Sequence, residues 1–189
     1  PPSGRRDGGG GPQTGQPQPS ESQRNCDKKL GDIFGGEGAV AAGSGFEPPN
    51  MPGKKNLFRG GPNGHLNIAM HLYGNGDGYG EGEVYIPAGG RYIGRNPYSN
   101  EDSYMFYYSR LGNARNVTLI ISHVDNFRAP RGVTTGRTRI GDIGGEGGRS
   151  PYDPNSRFNQ GPYIHAHLSI HQGRGYTGKR LSFFNVFCK

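Results

Sequence analysis

Three of the chain's six histidines stand at alternate positions in Ile164-His-Ala-His-Leu-Ser-Ile-His171. Strand alternation puts Ile164, Ala166, Leu168 and Ile170 on one face and His165, His167, Ser169 and His171 on the other, so the histidine face cannot be the core face. Imidazoles two apart on a strand point the same way roughly 7 Å apart, too far to bind one ion easily. That spacing suits one metal ligand beside one acid/base group. A catalytic zinc takes about three protein ligands and keeps one position for water. On its own His-x-His is equally compatible with two surface histidines on a polar strand face. A fourth histidine ends the run Val117-Thr-Leu-Ile-Ile-Ser-His123, in line with Val117, Leu119 and Ile121, where the strand stops and meets solvent. His71 opens His71-Leu-Tyr-Gly-Asn75, and Asp77 follows in a glycine-rich stretch. His65 lies in a Gly/Pro/Asn loop and reads as an exposed turn residue. His171, at the strand end, reads either as an orienting neighbour of His165 and His167 or as an exposed residue.

Elements that could hold these side chains are short and extended. Strands are expected at Glu83 to Ile86, Tyr104 to Tyr108, Asn116 to Ser122, Arg139 to Ile143, Ile164 to His171 and Leu181 to Phe187. The tyrosines of Tyr104-Met-Phe-Tyr-Tyr108 read as sheet filling. Glu37 to Gly64, broken by Pro48, Pro49, Pro52 and Pro62, reads as loop. Asp27 to Phe34, stopped by Gly35-Gly36, reads as a short helix. Gly144-Gly-Glu-Gly-Gly148 lacks the Lys-Ser/Thr ending of a phosphate-binding loop and reads as turns. The fold class expected is all-β or β-dominated: antiparallel sheets with a histidine-lined groove and little helix.

The chain has 189 residues, enough for one ordinary domain and with little room for two. Its 36 glycines and 15 prolines are uneven in distribution. Residues 1–25 contain no aliphatic or aromatic residue and so nothing to bury against the entropy of ordering, which predicts a linker followed by a single domain over 26–189. Only two cysteines occur, Cys26 and Cys188, bracketing that domain. Their placement favours a disulfide and hence an extracytoplasmic, secreted or cell-surface location. The net charge is +7, of which the linker supplies +1 from Arg5, Arg6 and Arg24 against Asp7 and Glu21. A basic domain suits acidic partners, and charge alone does not choose among cell-wall polymer, nucleic acid and anionic membrane. No stretch approaches the roughly 20 apolar residues of a membrane span, and any export signal lies upstream or has been removed.

The ordered segments resemble those of the lysostaphin-type zinc endopeptidases, which use His-x-x-x-Asp, then a histidine ending a strand, then His-x-His. His71-Leu-Tyr-Gly-Asn75, Val117 to Phe127 with His123, Thr138 to Gly148, and Gly161-Pro-Tyr-Ile-His-Ala-His-Leu-Ser-Ile170 occupy these positions in order. The resemblance implies zinc held by His71, residue 75 and His167, with His123 and His165 orienting or deprotonating the attacking water. Asn75 stands where the family uses Asp, and Asp77 is the alternative ligand. Tyr163 is the candidate for stabilising an oxyanion. The stretch from Cys26 to Cys188 also resembles the terminal domain of bacterial RHS/YD-repeat proteins, which implies a large carrier chain.

These readings make the chain a secreted zinc-dependent hydrolase of cell-wall or glycine-rich peptides, or a metal-free binding or structural module on the same fold. Asn75 favours the second. A basic nuclease is a third class, but no HNH-type pattern supports it, and nucleic acid is not the expected partner.

Overall fold

The computed structural model describes residues 20–43, 70–73, 82–97, 103–143 and 166–189. Helix α1 (Glu21–Phe34) opens on a capping box: the Ser20 hydroxyl accepts from the Gln23 backbone N–H at 3.3 Å, and the Gln23 side chain accepts from the Ser20 N–H at 2.8 Å. These bonds satisfy two of the amide donors that a helix start leaves unpaired. The helix therefore begins ahead of Cys26, and residues 21–25 are not linker as their composition predicts. The Ser-x-x-Gln signal outweighs the want of apolar residues there, because Cys26, Leu30 and Phe34 one turn apart supply the buried stripe.

Among the described residues ten strands follow: β1 (Val40–Gly43), β2 (Met70–Tyr73), β3 (Glu83–Ile86), β4 (Arg91–Arg95), β5 (Ser103–Leu111), β6 (Ala114–Ser122), β7 (Val124–Asp125), β8 (Thr138–Ile143), β9 (Ala166–Gln172) and β10 (Arg180–Leu181). The β-dominated, antiparallel class is as expected. One sheet runs β1-β2-β9-β6-β5-β4, with β10 also paired to β9, and a second runs β3-β8-β7. Strand β9 pairs with β6 along Ala166's successors to Gln172, while β2 and β10 share its opposite edge. Three expectations need correction. Strand β1 lies inside the segment read as loop, and β2, β4 and β7 were not foreseen; a register shift between Tyr92 and Gly94 interrupts the alternation of β4. The strand expected over Leu181 to Phe187 is instead two residues of β10 followed by helix α2 (Phe183–Phe187). Ser182 caps that helix by accepting from the Asn185 N–H, and Phe183 and Val186 are buried at a spacing of three, not two.

One continuous core joins the inward faces of both sheets to the helices. Val117, Leu119 and Ile121 of β6, with Ala166, Leu168 and Ile170 of β9, are fully buried. Phe34 meets Phe183 and Phe187 edge-on, with ring centroids 6.0 and 5.5 Å apart. The Cys26–Cys188 disulfide closes the same helix pair, with the two Cα atoms 5.7 Å apart across 162 residues of sequence. Tyr104, Phe106 and Tyr108 fill the sheet as expected, and the Tyr108 hydroxyl donates to the Pro87 carbonyl at 3.1 Å.

Candidate functional site

Strand register aligns the chemistry-bearing residues in a row. Ser103 of β5 pairs with Ser122 of β6, Ser122 with His167 of β9, and His167 with His71 of β2. Directly opposed residues of an antiparallel sheet share a face. Ser103, Ser122 and His167 therefore lie on the face opposite Leu168, Ile121 and the core. Ser122 and Ser103 are joined side chain to side chain at 2.8 Å. Neither serine is singled out by the sequence motifs; the signal available was the Ser-His pair at the strand end. The described residues give this row and the pair formed at its edge, and do not show the histidine-lined groove that the sequence suggests.

His123 completes the pair. It follows the last residue of β6 with φ of 62°, a left-handed conformation, at the corner where the chain leaves the large sheet for β7 of the small one. A non-glycine residue held there costs of order 1–2 kcal/mol and is a marker of constraint at functional positions. The turn takes the ring out of line with Val117, Leu119 and Ile121 and brings it to His167, with centroids 6.5 Å apart and planes nearly perpendicular. The sequence places His123 where the strand meets solvent. The strand does end there, but the side chain is 5% exposed, because the left-handed turn directs it inward.

Burial controls the charge of both rings. It pushes the His123 pKa down to about 3, with the neighbouring His167 contributing, and the His167 pKa down to about 4, with the Arg180 guanidinium contributing. Both imidazoles are neutral at pH 7, the form that binds metals and accepts protons. Arg180, opposite His171 across the β9–β10 hairpin, acts on His167 through its charge, a neighbour that no sequence spacing shows.

The pair's separation discriminates between roles. An imidazole on zinc has its centroid about 3.2 Å from the ion, so two ligands at a tetrahedral angle bring their centroids about 5.3 Å apart. At 6.5 Å the two rings are farther apart than two ligands of one zinc would be. His71 is the backbone register partner of His167 on β2. Among the described residues no group of three or more His, Cys, Asp or Glu side chains forms a metal cluster. Asn75, Asp77, Tyr163, His165 and His65 all lie outside the described residues, as does the Gly144 to Gly148 run.

His171 sits apart from the pair. Its Nε2 is 3.0 Å from the Ser169 hydroxyl and its Nδ1 is 3.2 Å from the Gly178 carbonyl. Thr118 bonds Gly173 and Gly175 alongside, so residues 173–178 fold over this end of the histidine face. His171 and Ser169 are consequently buried there, and the second reading made of His171, an exposed strand-end residue, does not hold. No family model, curated protein or solved structure matches this chain.

Proposed function

We propose that this domain is a zinc-dependent peptide-bond hydrolase of the lysostaphin type, acting outside the cytoplasm on cell-wall or glycine-rich peptides and carried by an RHS-type chain. The observation that carries the reading is the convergence of His123 and His167 as neutral, nearly perpendicular imidazoles at a separation suited to one ligand and one acid/base group. The Cys26–Cys188 disulfide supports an oxidising compartment. His167 and His71 would hold the ion with residue 75, or with Asp77 where the Asn75 amide is too weak a donor. Bound zinc lowers the pKa of its water to about 7 and polarises a carbonyl. His123 takes up the proton lost on attack and returns it to the leaving amine. Burial disfavours its imidazolium, so that proton is held only transiently. By the same resemblance His165 would share the orienting role and Tyr163 would stabilise the oxyanion.

The test is incubation with a pentaglycine peptide and with purified cell wall, following new amino termini. The reading expects cleavage that chelator abolishes, zinc restores and His123→Ala removes. Cell-wall binding without cleavage, unaffected by chelator, would instead establish the metal-free module that Asn75 favours.

A further inference from the structure

A recess beside α1 is lined by none of the described histidines. It has a volume of about 530 Å³, within the range of roughly 300–1,000 Å³ typical of ligand sites. One wall is the outer face of α1, where Asn25, Lys28, Lys29 and Asp32 follow the i, i+3, i+4, i+7 spacing of a single helix face. The floor is apolar, made by Ile33 with Pro87 and Ala88 of the turn after β3. Arg137 closes the other side. Its guanidinium donates to the Ile33 and Gly35 carbonyls at the end of α1 and lies over the Tyr85 ring, 3.6 Å from the centroid. Two of its five N–H donors are so used, and the plane is fixed before any ligand arrives. Lys29 is held likewise by the Phe187 carbonyl at 2.6 Å.

Three cations against the single carboxylate of Asp32 call for an anion, and the apolar floor calls for a hydrocarbon group beside it. Asp32 and Asn25 offer acceptors for N–H groups and oppose a polyanion. We propose that this recess binds the end of a peptide, its free carboxylate between Lys28 and Arg137 and its last apolar side chain on Ile33, Pro87 and Ala88. Arg137 precedes β8, whereas Ile143 at the far end of β8 pairs with Val124, next to His123. Six residues of strand, about 20 Å, separate the two places. The recess is therefore an anchoring site, not a catalytic one, and it stands whether or not the histidines bind zinc.

The experiment is a nuclear magnetic resonance titration of ¹⁵N-labelled protein with acetyl-Gly-Ala-Leu as free acid and as C-terminal amide. The acid should shift the Lys28, Asp32 and Ala88 amides saturably, and the amide peptide should bind at least about fivefold more weakly. Lys28 is exposed, so Lys28→Glu keeps the fold and weakens the acid about fivefold, the scale of an exposed ion pair reversed in sign. His167→Ala should leave binding unchanged. Equal binding of acid and amide, shifts centred elsewhere, or no shift at about 10 mM peptide would overturn the proposal.

Discussion

Lowering pH should destabilise the metal-free protein through His123 and His167 specifically. In the unfolded chain each imidazole titrates at its ordinary value of about 6.5. In the folded chain burial holds the two at about 3 and about 4. Because the folded values are depressed, the unfolded state binds more protons below pH 6.5. Stability is thus complete above about pH 7.5 and falls as pH drops through 6.5, continuing toward the folded values. At pH 5 each histidine accounts for about 2 kcal/mol, and the pair for about 4 kcal/mol. For a domain of this size 2 kcal/mol is a shift in Tm of about 4–8 °C. The assay is urea unfolding of chelator-treated protein at pH 8 and pH 5, beside His123→Asn, since Asn accepts the left-handed backbone. The variant should lose about 2 kcal/mol less between the two pH values than the parent. An equal loss in both proteins would refute the assignment of His123 as a buried neutral imidazole.

Other consequences can be checked in the same unfolding assay. Cys188→Ser should cost about 5 kcal/mol, the chain-entropy value for a loop of this length, and reductant should reproduce it in the parent. Phe183→Ala empties a fully buried site against Phe34 and should cost about 3–5 kcal/mol. Gly90→Ala should destabilise by about 1–3 kcal/mol, because a Cβ there would stand 2.5 Å from the Tyr108 hydroxyl in a fully buried setting. Ser20→Ala, which removes the α1 cap, should cost about 1 kcal/mol and reduce helical circular dichroism.

Much of the fold was legible because it rests on alternation. The run through β9 alternates Ala166, Leu168 and Ile170 with His167, Ser169 and His171, the run through β6 is apolar over most of its second half, and β3 occupies the four residues expected. Elements set by distant partners were not legible: four-residue β1 has no pattern of its own and exists by pairing with β2. The C-terminal Phe-rich run looks extended by composition, but Ser182 capping and packing against Phe34 make it helical. At the site, the sequence named His123 and His167 as partners, yet not how they meet. That depends on the left-handed turn at His123 and on the β6–β9 register, both tertiary outcomes. Likewise the polar alternation of β9 correctly excluded its histidine face from the core, but gave no sign that residues 173–178 would cover it.

Zinc content tests the central claim most directly. Elemental analysis of native protein, beside His167→Ala, should find about one zinc per chain in the parent and little in the variant. Zinc absent from both, in protein whose fold circular dichroism verifies, would contradict the hydrolase and leave the metal-free module.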